Sequence, residues 1–245
     1  MNIISARIPN PIAGSVKEKL SLLRRLKLHH LALSYEDTPL ESMPPNDVIA
    51  LRDLLIDEGC FISLYEASPS LPGGEQLNTL LRNCHLLDID SILYDLASFS
   101  SAEAESCLKA SAHMGIIPLV ENRAGSALAD ADAIMAFFEQ HADVPCGLLF
   151  NPLEFVKTGR HPFFHVYYAS RLKGRIAGLR INDGLYRDGS PTMPGHGNGE
   201  VKELMSIMKA RSFRGFYAIS PYMPMPEAPQ MQAITDWLRE TLKSI

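Results

Sequence analysis

Short β-rich runs alternate with amphipathic segments eight times along this chain, and that alternation restricts the fold more than any other feature. The runs are rich in apolar and β-branched residues and are bounded by turn residues, which predicts strands at residues 3–8, 30–34, 61–65, 91–96, 116–121, 147–150, 175–181 and 216–220. Apolar residues spaced by three and four positions predict helices at residues 16–26, 46–58, 75–87, 102–113, 127–140, 162–172, 200–210 and 231–243.

A strict strand–helix alternation requires parallel strands that are joined by right-handed crossovers. Eight repeats in 245 residues leave about 31 residues for each strand, helix and pair of connections. Eight such units close into a (β/α)8 TIM barrel, so we predict a single α/β domain over residues 1–245. The alternative is an open doubly wound sheet, but no GxGxxG pattern follows the first strand.

Charge and hydropathy exclude several classes of partner. The 23 basic and 28 acidic residues give a net charge of −5, and no basic stripe is present, so we predict no nucleic-acid partner. No apolar run approaches the ~20 residues that cross a bilayer, and the N-terminus lacks the apolar core of a signal peptide, so we predict no membrane partner and a cytoplasmic location. The four cysteines form no CxxC pair and are predicted to be reduced and buried.

A TIM barrel carries its chemistry at the carboxyl ends of the strands and in the loops that follow them. The polar residues at these positions are Arg7, Ser34, Glu36, Glu66, Asp95, Glu121, Asn151, Arg180, Asp183 and Ser220. The loop after the seventh strand, residues 182–200, is rich in Gly and Pro and contains His196. Its length and composition are typical of a segment that covers a ligand.

Four segments in the second half of the chain carry a family resemblance. They are IIPLVENRAG, GLLFNPLEFVKTGRHPFF, RIAGLRINDGLYRDGSPTMPGHGNGEV and FRGFYAISPYM, which together span residues 116–223. In order and spacing they resemble the xylose-isomerase-like superfamily of sugar and sugar-phosphate isomerases and epimerases. The resemblance implies a TIM barrel, a sugar-type substrate and a role in carbohydrate metabolism.

The resemblance also implies where a divalent metal would bind. Family members hold the ion with a Glu on strand five, an Asp on strand six, a His on strand seven and a Glu on strand eight. Those positions are occupied here by Glu121, Asn151, Arg180 and Ser220. Because an amide is neutral and a guanidinium has no lone pair to offer, we predict that the usual metal site is absent and that no other cofactor is needed. The alternative is a register shift of one or two residues that makes Asp183 or His196 a metal ligand.

Each remaining residue has two interpretations. Glu121 is either a general base or the salt-bridge partner of Arg180 or Arg123, and a carboxylate held by arginine is a poor base. Arg180 either binds a phosphate, a carboxylate or a developing enediolate oxygen, or simply neutralises Glu121.

His196 is a candidate acid–base group or an exposed loop histidine. Two-base epimerisation, which the resemblance implies, needs a second carboxylate that Ser220 cannot supply. Glu66 or Asp95 could supply it, or either could be an ordinary strand-end acid.

We therefore expect a divergent isomerase- or epimerase-like protein that binds a small polyhydroxylated or anionic molecule. The predicted catalytic residues are Glu121 and His196, and the predicted ligand-binding residues are Arg180, Asn151, Asp183, Glu66 and Arg123. A noncatalytic metabolite sensor or scaffold on the same barrel is the alternative, and self-association as a homo-oligomer is left open. Metal-dependent cleavage of abasic DNA is disfavoured because neither a metal cluster nor a basic groove is visible.

Overall fold

The computed structural model describes residues 3–70, 74–96, 101–168, 171–223 and 226–245. Eight parallel strands close into a barrel in the ring order β1–β2–β3–β4–β5–β6–β7–β10. Their bounds are β1 Ile3–Arg7, β2 His30–Ser34, β3 Phe61–Glu66, β4 Ser91–Leu93, β5 Ile117–Glu121, β6 Gly147–Phe150, β7 Ile176–Arg180 and β10 Phe216–Ile219. The predicted (β/α)8 TIM barrel is confirmed, with every strand at its predicted place.

Eight α-helices alternate with these strands in the described part of the chain, and local sequence explains their ends. Their bounds are α1 Val16–Arg25, α2 Pro45–Glu58, α3 Gly74–Leu86, α4 Ser101–His113, α5 Ala131–Gln140, α6 Pro152–Lys157, α7 Val201–Ala210 and α8 Ala228–Ser244. Ser15 and Glu18 form a capping box at the start of α1, and Gly59 ends α2 in the left-handed conformation.

The helix predicted over residues 162–172 is confirmed in part, because residues 162–168 are helical and residues 169–170 lie outside the described residues. The sequence did not predict α6, which starts directly after β6 with Pro152 in its first turn and ends before Gly159, whose φ is +70°. A π-helix at Phe164–Tyr168 and a 3-10 turn at Leu172–Gly174 follow. Pro152 favours the start of α6, because proline fixes φ at a helical value and lacks an N–H. Helix α6 has only six residues, too few to show an apolar period in the sequence.

The long loop after β7 folds into a small hairpin. Strands β8 Asp183–Gly184 and β9 Pro191–Thr192 pair in antiparallel register. This hairpin contacts α6, so the loop has a defined structure and is not a bare connection.

Two compact units make up the chain. One consists of Met1–Ile4, Glu121–Gln140 and Leu148–Ile245, and the other of Ser5–Val120 and His141–Gly147. That residues 1–245 form one domain stays a prediction. In the part of the chain described, no helix has the length and apolar character needed to span a membrane.

Candidate ligand site at the ends of β5, β6 and β7

Two oppositely charged side chains meet where β5 and β7 end. Glu121 is the last residue of β5 and Arg180 the last residue of β7. The Arg180 Nε donates to Glu121 Oε1 at 3.0 Å, and Nη2 donates to Oε2 at 3.1 Å. The two side chains are only 9% and 11% exposed. This two-point contact is the strong, directional form of an arginine–carboxylate pair.

An asparagine from the intervening strand completes the cluster. Asn151 directly follows β6, and its Nδ2 donates to Glu121 Oε1 at 2.8 Å. The bond fixes which way the amide points, with Oδ1 turned away from the carboxylate. Asn151 Oδ1 is itself buried and has no hydrogen-bond partner within the described residues.

Asn122 holds Asn151 in place, and sequence reasoning assigned it no role. Its Oδ1 accepts from the Asn151 backbone N–H at 2.7 Å, and its Nδ2 donates to the Asn151 carbonyl at 2.8 Å. These reciprocal bonds continue β5 to β6 hydrogen bonding beyond the strand ends, and Asn122 is only 1% exposed. A polar residue directly after a buried strand was the available signal.

These contacts limit what Glu121 can do chemically. A carboxylate offers about four acceptor positions, and Arg180 and Asn151 together fill three of them here. One acceptor position remains for a ligand, which suits a hydroxyl donor. Abstraction of a carbon-bound proton would require this same position to face the substrate C–H.

The donor set does not fit a divalent cation. Asn151 and Arg180 stand where the family resemblance implies an Asp and a His, and the guanidinium already contacts Glu121. A unit positive charge ~4 Å from a guanidinium is repelled by about 4 kcal/mol for each unit of charge at an effective dielectric constant of ~20. No group of three or more His, Cys, Asp or Glu side chains within the described part of the chain could hold a metal ion.

Asp183, a predicted ligand contact, is occupied within its own loop. The side chain is 1% exposed and accepts hydrogen bonds from the backbone N–H groups of Gly184, Gly195, Gly197 and Gly199 at 2.7–3.0 Å. Both carboxylate oxygens therefore accept hydrogen bonds from the loop backbone, and a contact of Asp183 with a ligand stays a prediction.

Two other predicted site residues lie on the surface. His196 is exposed, and its backbone N–H donates to the Met193 carbonyl at 3.0 Å. Arg123 is also exposed, two residues beyond Glu121, with its backbone N–H donated to Leu128. Of the residues predicted for the site, the structure therefore brings Glu121, Asn151 and Arg180 into direct contact.

Glu66 belongs to a separate cluster in the other unit. Glu66 Oε2 accepts from Arg7 Nε at 3.2 Å, and Arg7 also pairs with Asp37. Asp37 in turn lies 3.2 Å from the Nζ of Lys19, whose side chain is 1% exposed. Burial lowers the pKa of the Lys19 ammonium, while the charge of Asp37 opposes that shift.

Sequence reasoning missed both Lys19 and Asp37. Lys19 precedes the buried Leu22 and Leu23 by three and four positions, so it lies on the apolar face of α1. That spacing was a signal, since a lysine on such a face needs a buried partner.

The fold matches solved xylose isomerase-like barrels along the whole chain. A xylose isomerase domain protein from Planctomyces limnophilus superposes with a TM-score of 0.76 and 14% identity, over 99% of this chain and 97% of that one. An L-ribulose 3-epimerase gives 0.74 and 12%, over 100% and 95%. The probable 3-DHS dehydratase AsbF of Bacillus anthracis, involved in petrobactin synthesis, gives 0.75 and 11%, over 97% and 98%.

Identities this low show a shared fold and nothing finer. The resemblance in fold that the second half of the sequence predicts is confirmed. No protein-family model and no functionally curated protein matches the chain.

Proposed function

We propose that this chain is a divergent sugar or sugar-phosphate isomerase- or epimerase-like protein that binds a small polyhydroxylated or anionic ligand at Glu121, Asn151 and Arg180 without the usual divalent metal. The observation that carries the proposal is the two-point contact between Arg180 and Glu121. Arg180 stands where the family resemblance implies a histidine ligand, and its positive charge lies beside the carboxylate that would otherwise contact the ion. That an L-ribulose 3-epimerase has the same fold supports a sugar-type ligand.

The cluster offers two acceptors that a polyhydroxylated ligand can use. Glu121 has one acceptor position left, and the Oδ1 of Asn151 has no donor among the described residues. Neighbouring hydroxyl groups on a sugar are suitable donors to such a pair. A buried acceptor without a partner costs about 1–3 kcal/mol, so a hydroxyl that reached Asn151 would recover part of that cost.

Arg180 supplies the complementary preference for negative charge. Its guanidinium is held by Glu121 and is therefore already oriented before a ligand arrives. A preoriented guanidinium stabilises a phosphate, a carboxylate or a developing oxyanion without the entropic cost of ordering a flexible side chain. This favours sugar phosphates and sugar acids over neutral sugars.

A noncatalytic metabolite sensor is the second candidate, and one observation favours it. Glu121 is engaged by three donors, while Ser220 stands where the resemblance implies a second carboxylate and donates to Asn182 Oδ1 at 3.3 Å. Two-base chemistry needs a proton acceptor on each face of the reacting carbon. The cluster at β5–β7 contains one carboxylate, Glu121, and therefore supplies only one of these two proton acceptors. A site with a single proton acceptor binds such a ligand without epimerising it.

Calorimetric titration with ketoses, ketose phosphates and sugar acids tests the binding site. We expect saturable binding by the wild-type protein and at least about tenfold weaker binding by Arg180→Lys, which keeps the charge but loses the planar fork. Arg187→Lys is the matched control. Arg187 lies seven residues after Arg180 in the chain, but its side chain is 77% exposed. Equal affinity of Arg180→Lys and wild type would contradict the proposed site.

Incubation in deuterated water separates an enzyme from a sensor. An isomerase or epimerase exchanges a carbon-bound proton of its substrate with solvent, and the proposal predicts that a chelator leaves this exchange unchanged. Loss of exchange in Glu121→Gln would support Glu121 as the base. Saturable binding with no exchange would support the sensor, and exchange that required added manganese would contradict the metal-free site.

The cytoplasmic location, the role in carbohydrate metabolism and self-association stay predictions. So do the roles assigned to Asp183, His196, Arg123 and Glu66.

A further inference from the structure

The carboxylate of Asp183 occupies a nest of backbone N–H groups. Oδ1 accepts from Gly199 at 2.7 Å and from Gly184 at 2.8 Å, and Oδ2 accepts from Gly195 at 2.9 Å and from Gly197 at 3.0 Å. The side chain is 1% exposed, and no salt bridge to it is found within the described residues. Such concave arrays of N–H groups bind anions in many proteins, and here the anion belongs to the chain itself.

The alternating glycines of this loop are explained by the carboxylate that they surround. A Cβ on residue 197 would lie 2.3 Å from Asp183 Oδ1, and a Cβ on residue 199 would lie 2.8 Å from it. At Gly195 φ is +82°, and a Cβ there would lie 2.8 Å from the Trp237 ring. The pattern G-x-G-x-G at 195–199 therefore encodes close approach to Asp183 and to the indole.

The loop that Asp183 organises lies against the helix that begins beside the candidate site. A Cβ on Gly184 would lie 2.3 Å from Leu153 Cδ1, and one on Gly199 would lie 3.3 Å from Pro152 Cβ. Pro152 begins α6 and directly follows Asn151, whose amide donates to Glu121. The loop therefore packs against the first two residues of α6.

We propose that Asp183 is a positioning residue, an internal anion that holds loop 184–199 as a fixed wall against α6 and thereby fixes Asn151. The importance of Asn151 for a ligand rests on the proposed function, but the positioning of Asn151 does not. Asp183 lies three residues after Arg180 in the chain. It acts on Asn151 through the loop and α6.

Backbone amide hydrogen exchange measured by NMR tests this proposal without any ligand. In Asp183→Ala we expect amide exchange at least about tenfold faster at Asn151 and at the four nest glycines, which are Gly184, Gly195, Gly197 and Gly199. The glycine amides lose their hydrogen bonds to the carboxylate. Asn151 loses protection because the loop packs less firmly against α6. Sodium formate should restore protection at all five amides, because formate supplies the missing carboxylate to the nest. Sodium chloride at the same ionic strength should not.

Asp188→Ala is the matched control, because Asp188 lies in the same loop and also accepts a backbone N–H, from Ser190, but is half exposed. It should leave the exchange of Asn151 unchanged. Asp183→Asn provides a variant of nearly equal shape in case the alanine variant does not fold. It should expose one pair of nest amides and keep the other, because an amide side chain retains one acceptor oxygen.

Unchanged protection of Asn151 in both Asp183 variants, or protection that formate fails to restore, would overturn the positioning role. Failure of the proposed function looks different. In that case no ligand binds to the wild-type protein. The amides of the loop and of Asn151 still lose protection when Asp183 is replaced and regain it when formate is added.

Discussion

At the scale of single residues, a tethered guanidinium and a bound metal ion are chemically different partners for Glu121. The guanidinium carries one positive charge, donates hydrogen bonds in fixed directions and cannot be removed by a chelator. A divalent ion carries twice the charge and accepts electron pairs from a substrate oxygen. Under the proposed function, Arg180 orients and stabilises an anionic ligand, while its own bonds to Glu121 restrict that carboxylate as a base.

A double-mutant cycle measures how strongly this pair is coupled. Because both side chains are about nine-tenths buried, Glu121→Gln and Arg180→Met should each lower the free energy of unfolding by about 3–5 kcal/mol, since each leaves a buried charge without its partner. The double variant should lose much less than the sum of the two. Urea unfolding of the four proteins gives the coupling energy. Additive losses would mean that the two charges do not interact in solution.

At the scale of elements, β10 shows how a strand buried on both faces constrains its polar side chain. All four residues from Phe216 to Ile219 are buried, as is usual in parallel sheets. Tyr217 is fully buried, and its hydroxyl has no hydrogen-bond partner among the described residues. Burial raises the pKa of the Tyr217 phenol to about 12.

Tyr217→Phe should therefore change both stability and its pH dependence. Removing an unsatisfied buried hydroxyl should raise the free energy of unfolding at pH 7 by about 1 kcal/mol. In the wild type, the unfolded chain releases the Tyr217 proton near pH 10 and the folded chain near pH 12, so this residue costs stability as the pH rises through that interval. Between pH 10 and 12, the free energy of unfolding measured with urea should fall by about 2 kcal/mol less in the variant than in the wild type. Parallel curves for the two proteins would contradict the assignment.

Elements were more predictable from sequence than contacts were. Each barrel strand shows as a short apolar run because its central residues are buried. The fifth predicted strand ends at Glu121, as β5 does, whereas β7 ends at Arg180, one residue before the predicted end. Helix α6 escaped prediction because six residues are too few for an amphipathic period.

Contacts between distant residues were the least predictable part of the site. The sequence left two possible partners for Glu121, Arg180 and Arg123. Both follow or end barrel strands, and position at a strand end does not determine which of them contacts the carboxylate. The nest around Asp183 could not be predicted, because it depends on backbone N–H groups, which every residue except proline possesses.

At the scale of the whole molecule, each of the two compact units contains its own strand-end arginine–glutamate pair. Arg180 pairs with Glu121 in one unit, and Arg7 pairs with Glu66 in the other. In both pairs the arginine ends one strand and the glutamate ends the strand two places away in the barrel order. Both donate through Nε. Neutralisation of strand-end acids by arginine is thus a repeated feature of this chain.

Titration of the wild-type protein with Mn²⁺, followed by electron paramagnetic resonance of the free ion, tests the central claim most directly. If Arg180 has taken the place of the ion beside Glu121, the free-ion signal should rise in proportion to added Mn²⁺ and should be the same for wild type and Glu121→Gln. Stoichiometric loss of the free-ion signal in wild type that disappears in Glu121→Gln would show a metal at this carboxylate and would contradict the account.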